Sequence, residues 1–150
     1  MKSKILFAMT SMSMFAAATL AYAGTPKDAV GLWRSSDGNA VIEFKSCSEE
    51  PAALCGTIVW DKDAGGTDDD CGVRIAKLKR YDDDAWRDGW VFDPRNNKHY
   101  KGAVRANGSG LAVRAFIGTE ILGQTEQMTH EAKLPDSPVC KDKNTAETKP

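Results

Sequence analysis

The sequence predicts an all-β domain, an antiparallel up-and-down barrel of eight strands. Three observations carry that prediction. From Gly31 onward apolar residues recur with period two, turn formers interrupt the pattern at nearly regular intervals, and no stretch carries a helical apolar stripe of useful length. Short strands with tight turns and no crossover helices close readily into a barrel, which removes the exposed edges that template aggregation. A two-sheet sandwich satisfies the same pattern.

The chain begins with Lys2 and Lys4 before an apolar run, residues 5–20, that ends in Ala21-Tyr22-Ala23. A basic start, a short apolar core and a small-x-small end make a secretory signal peptide, with cleavage expected after Ala23. Ser and Thr interrupt the run too often for a retained membrane span, and nothing later in the sequence is long and apolar enough to be one. Gly24 stands where a lipoprotein anchor would need a cysteine. The expected organisation is a leader over 1–23, a barrel domain over 24–130 and a mostly disordered tail over 131–150, with the mature protein periplasmic. The tail has three prolines, many charges and few apolar residues.

Loss of the leader removes two of 20 basic residues and none of the 21 acidic ones, leaving 127 residues with net charge −3. That length suffices for one core. No basic block is present, so the electrostatic footprint of nucleic-acid binding is missing.

The strands follow in order. Residues 31–35 make the first, and Ser36-Asp37-Gly38-Asn39 turns the chain, because Asp-Gly supplies the positive φ that a tight hairpin needs. In the second, 40–47, Ala40, Ile42 and Phe44 alternate with Val41, Glu43 and Lys45. "LCGTIVW", 54–60, is the third, followed by a polar loop holding five aspartates. The fourth covers 75–81, "DDDAWRDG" (82–89) makes a turn, and "WVFDP" is a fifth strand ended by Pro94, which cannot donate to a ladder. "HYKGAVRA" (99–106), "LAVRAFIG" (111–118) and "GQTEQMTH" (123–130) complete the eight.

All four cysteines follow the leader, and an even count in an oxidising compartment reads as disulfides. Cys47 with Cys55 closes a short loop between two strands, which leaves Cys71 with Cys140 by elimination. Zinc fits poorly, since seven residues separate Cys47 from Cys55 and neither histidine is close to them in sequence.

Taken together, "GLWRSSDGNAVIEFKSC…LCGTIVW", "GWVFDPRNNKHYKGAV" and "LAVRAFIG…LGQTEQMT" resemble the bacterial domain-of-unknown-function 2147 family, over residues 30–129. The resemblance implies a compact exported barrel similar to lipocalins and other calycins, which share a Gly-x-Trp at the first strand, and it implies no activity. Two departures stand out. Asn96-Asn97 replaces the Asp-Gly common in such sequences, and Phe116 stands where Tyr is common, which removes a hydroxyl.

Among candidate residues, Trp33 is expected to plug one barrel end, packed against Arg105 or Arg114 by cation–π contact; the alternative is a ligand-stacking ring on a cavity floor. Trp60, Trp86, Trp90 and Tyr100 are the candidate ligand-lining rings, against the plainer reading of core or cross-strand pairs. Gly56, Gly102 and Ala103 are small where a filled interior would be bulky, leaving space for a cavity. In the acidic loop Asp61, Asp63 and Gly66 match the start of an EF-hand, making Asp61, Asp63, Asp68 and Asp70 a weak calcium alternative. Gly65 and Gly72 occupy two ligand positions, however, and no helices flank the loop. Catalysis has little support, because His99 and His130 belong to no motif and no Gly-x-Ser-x-Gly elbow occurs. The resulting expectation is a non-catalytic, cofactor-free binder of a small apolar or amphipathic ligand. Its rivals are an envelope structural or interaction protein with a filled barrel and, less favoured, an enzyme.

Overall fold

The structure is a computed structural model that describes residues 24–108 and 110–141. The expected leader and its cleavage site, and residues 142–150 of the expected tail, lie outside the described residues.

Among the described residues nine strands form one antiparallel sheet: β1 (Gly31–Arg34), β2 (Ala40–Ser46), β3 (Leu54–Asp61), β4 (Arg74–Leu78), β5 (Arg80–Asp82), β6 (Ala85–Asp93), β7 (Lys98–Ala106), β8 (Gly110–Phe116) and β9 (Gln124–Glu131). Neighbours run β4-β3-β2-β1-β9-β8-β7-β6-β5, and a further pairing of β4 with β6 closes the sheet on itself. β4 and β5 are one stretch of wall interrupted at Lys79, whose N–H still donates to the Arg87 carbonyl at 2.9 Å. The result is a closed eight-stranded antiparallel barrel rather than a sandwich.

One segment differs from the sequence expectation. Residues 82–89 are not a turn, because β6 already begins at Ala85 and only Asp83-Asp84 reverse the chain. A bulge between Trp86 and Gly89, with Asp88 at φ 58°, breaks the two-residue period there and hides the strand. Closure depends on the same place. A Cβ on Gly89 would lie 1.8 Å from the Lys77 carbonyl oxygen, so only glycine lets β4 and β6 approach this closely.

The interior is unequally filled. At the end bearing the β2–β3 and β7–β8 connections, Trp33, Phe44, Leu54, Leu78, Val104 and Leu111 are each at most 5% exposed and form one apolar cluster. The small residues here serve packing rather than emptiness. A Cβ on Gly56 would come within 2.7 Å of the Phe44 ring, one on Gly102 within 2.7 Å of Val91 Cγ1, and Ala103 is itself buried at 1% exposure.

The N-terminal segment is tied to this filled end. A short 3-10 turn, Pro26–Ala29, precedes β1, and three aromatic side chains donate to its carbonyls or to those beside it: Tyr81 Oη to Gly24 (2.5 Å), Trp86 Nε1 to Pro26 (3.0 Å) and Trp33 Nε1 to Ala29 (3.0 Å). The Trp33 indole N–H, the buried one of the three, would otherwise lose hydration without compensation. Two disulfides add covalent ties, Cys47–Cys55 across the β2–β3 hairpin and Cys71–Cys140 holding residues 132–141, which contain no helix or strand, to the β3–β4 connection. Such bonds fit an oxidising location, extracellular or periplasmic. No helix among the described residues is long and apolar enough to cross a membrane.

Two outcomes follow from this packing. Gly89→Ala is expected to lower stability by about 3 kcal/mol in chemical denaturation, through forced separation of β4 and β6, and an unchanged midpoint would contradict the closure. Trp33→Ala is expected to lose about 3–5 kcal/mol, and a normal melt would show that the ring seals nothing.

Candidate functional site

The opposite half of the barrel is hollow. A cavity of about 1250 Å³, mouth included, opens between the β1–β2, β3–β4, β6–β7 and β8–β9 connections. Its apolar wall includes Ile42, Ile58, Ile75, Val91, Val113 and Met128. The register explains the choice of side chains: Ile42 lies opposite Ile58, Val91 opposite Tyr100 and Leu111 opposite Met128, so one alternating set points inward round the barrel.

On β9 that inward set includes a charge. Glu126 lies opposite Val113, on the interior face, where it accepts weak hydrogen bonds from the Ser36 N–H (3.3 Å) and hydroxyl (3.4 Å) and approaches Arg95 Nη2 at 3.9 Å. Arg95 grips Asp93 more closely, at 2.9 and 3.3 Å. Asp37, on the β1–β2 turn, accepts from the Ser35 hydroxyl (2.6 Å) and from the Asn39 N–H (3.0 Å). These neutral donors, the Ser35 hydroxyl foremost, hold its carboxyl below the usual carboxylate range.

Of the four candidate rings, Tyr100 lines the cavity, its hydroxyl accepting from Asn96 Nδ2 at 3.2 Å. The three tryptophans do not. The β2–β3 register shifts after Ile58, so Trp60 lies opposite Val41 on the outer face, under the Arg34 guanidinium at 5.1 Å. Its indole N–H is buried there without an acceptor among the described residues. Trp86 belongs to the filled end, edge-on to Tyr81 at 5.8 Å, and Trp90 stands on the outer wall, edge-on to His99 at 5.0 Å.

The expected arginine partner of Trp33 is also replaced. Trp33 meets His130 edge-on at 5.3 Å, whereas Arg105 and Arg114 hold the β8–β9 connection. Arg114 donates to the Glu120 and Ile121 carbonyls at 2.6 and 2.9 Å. Arg105 bridges Asp84 (2.8 Å) and Glu120 (2.5 Å), and Arg87 also pairs with Glu120. A guanidinium with two carboxylates in reach gains more from them than from a ring face. Burial pushes the Glu120 carboxyl up, but Arg105 and Arg87 outweigh it and leave it below its ordinary value; Arg105 likewise holds Asp84 low. The connection is thereby pinned against the outer wall, beside the mouth rather than across it.

The acidic loop, the calcium alternative of the sequence, is braced by bonds between its own carboxylates and backbone. The Asp61 carboxylate, 6% exposed, turns back to accept from the Asp63 and Asp70 N–H groups at 2.8 and 3.1 Å. Among the described residues the ligand atoms of Asp61, Asp63, Asp68 and Asp70 do not converge, and the one close group, Cys47, Glu49 and Cys55, contains a disulfide. His99 packs against Phe92 at 4.6 Å and His130 against Trp33, so the two histidines stand apart from each other.

Because the depressed Glu120 and Asp84 carboxyls must be protonated on acidification, their contribution is complete above the ordinary carboxylate range and lost as pH falls below about 4. Thermal melts of wild type should therefore drop more steeply on acidification than those of Glu120→Gln, by about 1 kcal/mol. Parallel curves would remove Glu120 as a pin.

Comparison with curated proteins yields no match. Among solved structures, protein HP1028 of Helicobacter pylori, described as belonging to the lipocalin family, is similar at a TM-score of 0.55 and 14% identity, over 69% of this chain and 83% of that one. At that identity the likeness is one of fold, which is accordingly lipocalin-like. The model of the family described as "Uncharacterized protein conserved in bacteria (DUF2147)" matches residues 31–130, the whole barrel from β1 to the penultimate residue of β9, and the chain belongs to that family.

Proposed function

We propose that this protein is an exported, periplasmic binder of a small apolar or amphipathic ligand, held inside the barrel without covalent chemistry. The hollow half of the interior carries this reading. A core filled throughout would serve stability alone, whereas here tight packing stops partway and gives way to a cavity larger than the roughly 300 Å³ at the lower end for ligand pockets. The apolar wall supplies the driving force, and Tyr100 and Glu126 supply polar groups that would orient a head.

The rival reading, an envelope interaction protein with a filled barrel, is less favoured by the space that Ile42, Ile58 and Val113 border. An exposed apolar lip, Ile117, Ile121 and Leu122 at 78%, 87% and 81%, nevertheless offers an outer contact surface. In the binder reading, Ile117 and Leu122 line the mouth and let an apolar ligand slide in.

The neutral fluorescent probe N-phenyl-1-naphthylamine tests this reading directly. Wild type should bind it with saturable fluorescence gain, and Ala115→Trp, which fills the inner wall, should weaken binding at least about tenfold while keeping the fold by circular dichroism. Equal titrations for both proteins would place the probe on the outer surface and overturn the cavity as the site.

A further inference from the structure

Resting on the cavity as the binding site, we propose that its ligand is a cationic amphiphile, an alkyl or aryl chain ending in an ammonium or guanidinium head. The site itself is the hollow half of the barrel, and its charge decides the head. The connections round the mouth contribute Asp37, Asp63 and Asp68, the end of β6 contributes Asp93 and the inner wall Glu126, whereas Arg95 is the one cationic side chain among the described residues lining it.

Hydrogen bonds do not cancel that charge. Asp37 is held by neutral hydroxyl, amide and backbone donors, which fix the carboxylate in place and leave it negative. An apolar cleft lined by one sign of charge concentrates its own field, and so attracts the opposite charge more strongly than a flat surface would.

Arg95 shows how such a head would sit. Its guanidinium lies among three carboxylates, bonded to Asp93, 3.9 Å from Glu126 and within electrostatic reach of Asp37. One positive charge against three leaves the cluster anionic. Arg95 is 70% exposed on the short β6–β7 connection, a position from which a long side chain can swing into solvent. It occupies the place of a ligand cation, and a ligand with a tail to bury inside the barrel would displace it from Glu126. An anionic ligand would reverse the role of Arg95 and would have to settle against the surrounding carboxylates.

The two possibilities give opposite signs in one experiment. Three probes sharing one straight alkyl chain, with a primary amine, an alcohol or a carboxylate as head, are titrated by calorimetry below their micelle concentrations. The amine should bind about tenfold tighter than the alcohol, with the advantage shrinking at high salt, and the carboxylate weakest. Glu126→Gln should remove most of the amine's advantage over the alcohol. Arg95→Ala should tighten the amine severalfold, an effect that a merely weakened fold would not produce. Equal binding of amine and alcohol, or loss of carboxylate binding in Arg95→Ala from a tighter wild-type value, would overturn the cationic ligand and leave the barrel a binder. Failure of all three probes to bind would overturn both readings.

Discussion

The pairing of β4 with β6 is the interaction on which the rest of this molecule depends. Without it the strands form an open ribbon whose two faces are equally wet. With it, one face becomes an interior, and every inward residue from Trp33 to Met128 acquires partners across the barrel. The joint is made backbone to backbone at Gly89, where the Lys77 carbonyl occupies the space of a side chain. A closed wall of eight strands is just wide enough to be filled by its own side chains or to keep room for something else. This barrel does both, one at each end.

The division of the interior follows from residue size along the inward rows. Large rings and leucines converge at the end where the N-terminal segment is tied down, and Gly56 makes way for Phe44. Towards the mouth most inward positions are isoleucine, valine or alanine, and with Tyr100, Glu126 and Met128 they line a space they do not span. The arginines that would have been suited to hold Trp33 are drawn to Glu120 and Asp84, and the pinned β8–β9 connection keeps the mouth clear. Packing at one end and electrostatics at the other thus produce a cup.

Much of this architecture was legible in the sequence, because alternation and turn chemistry are local signals. Ile42 and Phe44 on one row, Asp37-Gly38 as a turn and the tie between Cys47 and Cys55 need only neighbouring residues to be read. What escaped depends on bulges and partners distant in the chain. Trp60 shares a strand with the inward Ile58 and is two residues away, yet the register shift between them sends it outside. The bulge after Trp86 made a strand look like a turn. Glu126 sits in a polar strand, and its inward position becomes visible only once Val113 is known to lie opposite.

The first and last strands are neighbours. β1 pairs with β9 through Trp33 and His130, so no leading portion of the polypeptide that stops short of β9 holds the complement needed to finish the wall. Folding must wait for roughly a hundred residues to be present at once, and such long-range topology folds slowly. The two disulfides then differ in what they need: the bond over a separation of 8 residues needs only its own hairpin, whereas the one over 69 awaits residue 140. A wall built this way sets into shape only once its last strand is free to pair with its first.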